Sequence, residues 1–326
     1  MTLTQLRYLV AIVDAGLNIS QAALRVHATQ PVLSRQLKQL EDELGLQLFS
    51  RKGRSLQAIT PAGGEVVQHA RRLLREADNI RQLAANQRGE GEGRLTLVTT
   101  HTQARFVLPP AISMVKQRWP RVSVHLQPAG DAEILGLLAE GEADLALIST
   151  SGRAPDAGIA IPLYRWRRKL LMPKTHPLAT KPELTMVDLA RAPLVSYESS
   201  LRAASSLQRA FARAGVVANI AMTAADADLI KTYVRTGLGI GLLAEMAVGA
   251  QEADLAVREA PTEIPANIAW AVLPRERVMR DYTTALLLAL APQLDRHDLQ
   301  RTVAGHQPPD WPPPPSWVAL SQSITC

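Results

Sequence analysis

The 326-residue sequence predicts a mixed α/β protein in three parts: a mainly helical N-terminal segment, one long linking helix and a larger region of two α/β lobes. Three observations predict this order. Apolar residues recur at helical spacing through residues 1–88, a glycine-rich break follows at 89–93, and strand-like and helix-like segments then alternate to about residue 300. A chain of this length is also longer than a domain with a single hydrophobic core usually is.

The composition is that of a globular protein, with 47% hydrophobic and 20% charged residues. We expect a cytoplasmic protein without a membrane partner, because no apolar run could span a bilayer and charged residues interrupt the N-terminal apolar stretch, unlike in a signal peptide. The net charge of +6 permits nucleic-acid binding without establishing it. The only cysteine, Cys326, can form no intramolecular disulfide, so a redox sensor is not expected.

The first 60 residues predict three short helices and a hairpin. Apolar residues from Leu6 to Val13 form one face of the first helix, and Asn18 is a good N-cap for the second. Thr29 is a cap candidate for the third helix, which tolerates Pro31 in its first turn. Two apolar segments, 46–49 and 56–59, then flank the basic turn Arg51-Lys52-Gly53-Arg54. Residues 1–60 therefore predict a winged helix-turn-helix.

A long helix is predicted over residues 61–88, after the capping pair Thr60-Pro61. Its apolar stripe runs from Val66 to Leu83 and is longer than a 60-residue domain can bury. A second copy of the chain would cover it, so we expect this helix to mediate dimerisation.

Residues 89–93 form the predicted hinge, and residues 94–300 the predicted effector domain of two α/β lobes. The first lobe is expected over about 94–162 and 266–300, the second over about 163–265. The predicted elements of the first lobe include strands at 95–98, 122–126 and 143–148 and one helix over 103–118. A Pro-rich segment, 301–326, is predicted to be disordered.

The third helix carries the predicted DNA-binding chemistry. If Val32, Leu33, Leu37 and Leu40 face inward, the polar residues between them project outward, where Gln and Arg suit base edges and Ser and Lys suit phosphates or either target. An ordinary solvated helix face is the alternative. The predicted DNA-binding residues are Asn18, Thr29, Gln30, Pro31, Ser34, Arg35, Lys38, Arg51, Lys52 and Arg54.

A second polar group lies where a predicted strand ends and a helix begins, at Thr100, Thr102 and Gln103. Hydroxyl and amide donors there, added to free backbone N–H groups, can hold an anion. From the residues alone, simple helix capping is the favoured interpretation of the same threonines. Ser149, just after another strand, is expected to face the same cleft.

Residues 1–88 resemble the DNA-binding half of LysR-type transcriptional regulators. The resemblance rests on Gln21-Ala22-Ala23, Thr29-Gln30-Pro31, Leu33-Ser34-Arg35-Gln36, Leu40-Glu41-Asp42-Glu43-Leu44-Gly45, Leu48-Phe49-Ser50-Arg51 and Thr60-Pro61-Ala62-Gly63. It implies that the third helix enters the major groove, that the wing reaches the backbone or minor groove, and that two subunits read paired half-sites of promoter DNA.

Two runs further along the chain resemble the CysB/Cbl branch of that family, the regulators of sulfur assimilation: Thr99 to Arg105 and Thr223 to Arg235. The resemblance covers nearly all of residues 1–300. It implies a two-lobed, periplasmic-binding-protein-like effector domain, a homodimer assembling to a homotetramer, and an effector such as sulfate, thiosulfate or O- or N-acetylserine. It also favours the effector interpretation of the threonines. The predicted effector-binding residues are Thr100, Thr102, Gln103, Ser149, Arg202 and Thr223.

One run departs from the branch. Its members tend to carry a Gly- and Thr-bearing turn near residues 199–203, where this chain has Ser199-Ser200-Leu201-Arg202-Ala203. If Arg202 faces the cleft, it adds a guanidinium fork for an anion; the alternative is a solvated surface side chain.

No enzyme activity, cofactor or metal is predicted, because the sequence shows no nucleophile motif, glycine-rich phosphate loop or His/Cys cluster. His101 is interpreted as a structural residue of the cleft wall. Two alternatives stay open: a LysR-type regulator of an unrelated operon, and a two-lobed solute-binding module, which the first 88 residues argue against.

Overall fold

The computed structural model describes residues 1–53, 55–249, 252–275 and 277–324, with residue 324 described by its backbone alone. The chain forms two compact units, Met1–Gly89 and Glu90–Cys326, here called the N-terminal and C-terminal units. In the described ranges, no helix has the length and apolar character needed to cross a membrane.

The N-terminal unit is a three-helix core with a hairpin and one long helix. Its elements are α1 (Leu3–Asp14), α2 (Ile19–Arg25), α3 (Gln30–Leu44), β1 (Phe49–Lys52), β2 (Ser55–Ile59) and α4 (Pro61–Gln87). The two strands pair antiparallel. The apolar faces of the first three helices meet at fully buried leucines such as Leu9, Leu33 and Leu40. Gly45 ends α3 in the left-handed conformation, as glycine favours there.

Helix α4 is 27 residues long and begins at a tight contact. Its cap, Thr60, accepts a hydrogen bond from the Gly63 amide at 2.9 Å. A Cβ on Gly63 would lie 2.1 Å from the Leu48 carbonyl oxygen, so only glycine fits beneath the hairpin. Further along, Leu73, Ile80 and Leu83 are exposed. The expectation that a second chain covers them stays a prediction.

The C-terminal unit contains two five-stranded sheets, one per lobe. The first has the order β4-β3-β5-β12-β6 and the second β11-β7-β10-β8-β9. The strands are β3 (Glu92–Thr99), β4 (Arg121–Pro128), β5 (Leu145–Thr150), β6 (Ile159–Trp166), β7 (Arg168–Pro173), β8 (Leu194–Tyr197), β9 (Ile220–Ala224), β10 (Ile240–Ala244), β11 (Leu255–Glu259) and β12 (Asn267–Leu273). Both sheets are mixed. In the first, β3 pairs in parallel with β4 and β5, whereas β12 pairs antiparallel with β5 and β6. In the second, β8 pairs in parallel with β9 and β10, whereas β7 pairs antiparallel with β10 and β11. These sheets and the helical N-terminal unit confirm the predicted fold class.

Helices cover these sheets: α5 (His101–Phe106), α6 (Leu108–Arg118), α7 (Ile134–Ala139), α8 (Met186–Arg191), α9 (Ser206–Arg213), α10 (Ala227–Arg235), α11 (Asp281–Leu290), α12 (Arg296–Val303) and α13 (Trp317–Ile324). The prediction of a single helix over 103–118 is wrong, because the chain breaks at Val107 between α5 and α6. Pro109 and Pro110 have no amide hydrogen to continue the α5 ladder, so a new helix starts with them in its first turn.

The crossing between lobes also lies later than expected. Strand β6 belongs to the first sheet and continues to Trp166, so the second lobe begins near residue 167 rather than 163. The chain returns to the first lobe with β12, close to the predicted residue 266.

The prediction of disorder for residues 301–326 is wrong for the described part, which ends at 324. Helix α12 runs to Val303, and the segment beyond it lies against β6 and ends in α13. Leu320 is only 1% exposed, and Trp311 and Trp317 pack against the first-lobe core. These apolar side chains, within and after the proline run, therefore provide buried surface that favours an ordered segment.

Candidate functional site

The polar face of α3 projects outward, as predicted. Gln30, Arg35 and Lys38 are exposed and Ser34 is half-buried, while the leucines opposite are buried. The Gln30 Nε2 donates to the Ser34 hydroxyl at 3.0 Å, which aligns two of the predicted contacts. The inward placement expected for Val32 is wrong: it is 44% exposed, because it lies one position off the leucine stripe. An exposed valine there can contact a thymine methyl group, a role the sequence reasoning missed.

The remaining predicted DNA-binding residues differ in whether their side chains already form contacts within the N-terminal unit. Asn18 caps α2 by accepting from the Gln21 amide at 3.0 Å. Thr29 stands at the α3 N-cap without a side-chain capping bond, and Pro31 and Lys52 are exposed. Arg51 forms an ion pair with Glu41 at 2.7 Å, and the same Glu41 accepts from the Leu48 amide. This tie holds the wing to α3. Arg54 lies outside the described residues.

The C-terminal unit brings three of the predicted effector residues together. The Thr102 hydroxyl donates to the Tyr197 hydroxyl at 3.2 Å, which links α5 of the first lobe to β8 of the second. The Gln103 Nε2 donates to Ser149 Oγ at 3.4 Å, and Ser149 also accepts from Trp166 Nε1 at 3.0 Å. Thr102 and Gln103 are buried although polar. We call Thr102, Gln103 and Ser149 the polar triad.

Thr100 takes the capping role that was the alternative for it. It is the N-cap of α5, and its hydroxyl accepts from the Gln103 amide at 3.5 Å. The six-residue α5 is too short to hold an anion by its backbone alone. A positively charged side chain beside these donors would strengthen their hold on an anion.

Arg168 supplies such a charge, and the sequence reasoning missed its role. Its guanidinium lies over the Trp166 ring, 5.6 Å from the ring centroid, and Nη2 donates to Ser206 Oγ at 3.0 Å. Nη1 is buried and has no hydrogen-bond partner among the described residues. Burial lowers the pKa of Arg168 to about 10, although the neighbouring Tyr197 and Asp131 act in the opposite direction. A buried N–H donor of a charged group without an acceptor is suited to an anionic ligand.

Sequence context hid Arg168. It lies in the run Arg165-Trp166-Arg167-Arg168-Lys169, in which Arg165 and Arg167 are exposed. β6 of the first sheet ends at Trp166 and β7 of the second begins at Arg168, and the sequence does not show which side chains of this basic run the fold encloses.

Arg202 is exposed at the end of a 3₁₀ turn. Its charge nevertheless acts on Asp131 of the first lobe. Burial raises the pKa of the Asp131 carboxyl, while Arg202, the Ser199 hydroxyl and Arg168 oppose that rise. Arg202 is therefore a solvated side chain, as the second alternative stated, and its charge also acts on the pKa of Asp131.

Thr223 is half-buried in β9, where it pairs with Ser196 of β8. Within the described ranges, no hydrogen bond joins it to the polar triad. Next to the triad, an open groove of about 500 Å³ lies between α5 and the start of α10. His101 lines this groove, and the ion pair Arg105–Asp228, at 2.7 Å, crosses between the two helices.

Comparisons with known proteins cover both units. Residues 3–64 match the model of the bacterial regulatory helix-turn-helix protein, lysR family, and residues 88–295 match the LysR substrate binding domain. The regulator CysB of Haemophilus influenzae is 38% identical over 301 residues, which are 92% of this chain and 93% of that protein. The regulator Cbl of Escherichia coli is 36% identical over 93% of this chain and 96% of its own length.

A solved structure supports the architecture of the C-terminal unit. The crystal structure of the cofactor-binding domain of the Cbl transcriptional regulator is 37% identical in sequence and superposes with a TM-score of 0.59. It covers 67% of this chain and 96% of the solved chain. The predicted resemblance to the CysB/Cbl branch is thereby confirmed.

Proposed function

Since this chain belongs to the LysR family of bacterial transcriptional regulators, we propose that it controls sulfur-assimilation genes in response to a small anionic effector bound between the two lobes. DNA binding and regulation, rather than catalysis, are the properties of the family. Promoter DNA is the macromolecular partner, so we propose a cytoplasmic location. The gene class, the effector and the assembly are proposals.

On the DNA side, the exposed face of α3 supports contact with base edges through Gln30 and Arg35, and with phosphates through Lys38 and Lys52. Two such units are needed to read a two-fold site. The exposed leucine and isoleucine side chains of α4 support a dimer formed through that helix. We further propose that dimers pair into a homotetramer, as the resemblance to the CysB/Cbl branch implies.

On the effector side, one observation carries the proposal: the buried Nη1 of Arg168 lacks an acceptor within the described chain, close to the polar triad. Trp166 connects Arg168 to the triad. The Arg168 guanidinium lies over the Trp166 ring, and Trp166 Nε1 donates to Ser149 Oγ. Hydroxyl and amide donors beside a buried guanidinium match a ligand with several acceptor oxygens. Sulfate, thiosulfate and the carboxylate of O- or N-acetylserine all meet that description.

The ligand acts by favouring one arrangement of the subunits. It can shift DNA bending or subunit spacing only if it binds one arrangement more tightly than the other. The Thr102–Tyr197 bond joins the lobes at the site, so a ligand that contacts Thr102 is sensitive to their relative position.

Calorimetric titration tests the proposal. Sulfate, thiosulfate and O-acetylserine are titrated separately into the wild type, into Thr102→Ala and into the control Thr262→Ala, an exposed position of the second lobe. We expect at least one ligand to bind the wild type and the control alike and Thr102→Ala more weakly. If none of the three binds the wild type, the chain remains a LysR-type regulator but of an unrelated operon.

A further inference from the structure

The segment after α12 adds an edge to the first-lobe sheet. Strand β6 is the last strand of that sheet, and its outer side faces residues 314–316. The Arg165 amide donates to the Pro315 carbonyl at 2.7 Å, and Arg165 Nε donates to the Pro314 carbonyl at 3.0 Å. A parallel bridge joins Arg165 to Ser316. The prolines can accept these bonds without an amide hydrogen of their own, which suits an edge position.

Helix α13 then covers one aromatic side chain of β6. The Trp317 ring lies 5.3 Å from the Tyr164 ring, tilted by 53°. Leu320, one turn further along, is buried in the same core. Tyr164 itself has no solvent exposure. The segment 304–324, called the tail below, therefore closes the outer side of Tyr164.

On its inner side, Tyr164 reaches the polar triad. Its hydroxyl donates to Gln103 Oε1, and Gln103 Nε2 in turn donates to Ser149 Oγ at 3.4 Å. Burial raises the pKa of Tyr164, so the phenol remains a hydrogen-bond donor throughout the neutral range. Displacement of Tyr164 would leave a buried amide oxygen without its donor, which is costly.

This bond also decides which end of the Gln103 amide faces the ligand. With Oε1 engaged by Tyr164, the amide nitrogen is left with two N–H donors: one donates to Ser149, and the other can donate to an acceptor oxygen of a ligand. If the amide were released, it could turn and present its oxygen, which would repel an anion.

We propose that the tail positions the effector site: Trp317 holds Tyr164 in place, and Tyr164 orients the Gln103 amide as an anion donor. Trp317 and Tyr164 are thus positioning residues that need not touch the ligand. The inference rests on the proposed function of the cleft, since it assigns the tail a role in the affinity of that site.

Full-length Trp317→Ala tests the inference, with sulfate as the probe in calorimetry. Loss of one oriented hydrogen bond predicts about three- to tenfold weaker sulfate binding. Trp317→Phe keeps an aromatic ring on Tyr164 and should bind within about twofold of the wild type, since a Phe–Tyr pair packs in the same way. Val318→Ala, at a neighbouring exposed position of α13, is the matched control and should bind as the wild type does.

A double-mutant cycle separates positioning from stability. Tyr164→Phe removes only the hydroxyl and should weaken sulfate binding by a similar factor. In that background, Trp317→Ala should cause no further loss of affinity, although it still lowers the melting temperature. Additive losses of affinity would overturn the proposal, as would an unchanged affinity in Trp317→Ala. If Trp317→Ala does not fold, Trp317→Leu replaces it, because it keeps apolar volume without a flat ring.

Hydrogen–deuterium exchange of the ligand-free protein provides a test that needs no effector. Trp317→Ala should accelerate exchange in a peptide spanning residues 100–106, which is remote in sequence but bonded to Tyr164. Acceleration confined to the tail and β6 would refute the link. If the wild type binds no sulfate, the effector class proposed above fails for that ion, and exchange at 100–106 alone decides this inference.

Discussion

Replacing Arg168 with methionine should change ligand affinity and stability in opposite directions. Methionine keeps an unbranched stem against Trp166 but removes the charge and the buried, unpartnered Nη1. If an anion is the natural acceptor for that donor, its loss removes a charge-assisted hydrogen bond worth about 1.5–3 kcal/mol. Sulfate should then bind Arg168→Met about 10- to 150-fold more weakly than the wild type.

The same substitution should stabilise the ligand-free chain. Burial is the largest cause of the lowered pKa of Arg168, about 10, and a depression of that size corresponds to about 3 kcal/mol against the charged form in the folded state. Because the folded pKa of this base is below its unfolded value and both lie far above neutrality, the cost is constant near pH 7. The lost Ser206 bond, whose donor is the charged guanidinium, offsets about 1.5–3 kcal/mol of this, so a gain of at most about 1.5 kcal/mol remains.

Calorimetry with sulfate and urea unfolding without ligand measure the two effects. Arg213→Met, at an exposed position of α9, loses the same charge and should leave both quantities nearly unchanged. If Arg168→Met instead destabilised the ligand-free chain and bound sulfate as tightly as the wild type, the guanidinium would be a structural element with a partner in the fold. The assignment of the anion site would then be wrong.

Three further outcomes are expected. Sulfate affinity, measured by calorimetry, should rise as the pH falls through the raised pKa of Asp131, because protonation removes a negative charge near the site. Asp131→Asn should lose this pH dependence. If the dependence persists in that variant, another group causes it. Arg35→Ala should weaken binding of a specific promoter fragment by about 1–3 kcal/mol in mobility-shift assays at fixed salt, whereas Lys38→Ala should weaken specific and non-specific binding alike and reduce the salt slope. Gly63→Ala should destabilise the N-terminal unit and abolish DNA binding while leaving sulfate binding intact, since its Cβ would lie 2.1 Å from the Leu48 oxygen; DNA binding equal to the wild type would contradict this.

Local signals explain why the N-terminal unit could be predicted well. The leucines of α3 recur at helical spacing, Asn18 caps α2, and Gly45 ends α3, and each of these features acts within a few residues of itself. Val32 was misplaced because the edge of an apolar stripe depends on which neighbouring helices reach it. Pro109 and Pro110 mark the helix break at Val107: proline interrupts a helix interior but is tolerated in a first turn, and α6 begins one residue before them.

The sequence by itself determined the order of the units, the outward polar face of α3 and the family, and it predicted the threonine, glutamine and serine as effector-binding residues. Only the tertiary structure decided that Arg168 Nη1 is buried without a partner among the described residues, that Thr102 bonds across the lobes to Tyr197, and that the tail packs on Tyr164 instead of being disordered. The physical reason is the separation along the chain of the residues that decide each feature. Caps, turns and apolar periods depend on adjacent residues, whereas burial of a charge, or a bond such as that between Tyr164 and Gln103, depends on which distant strands the fold places side by side.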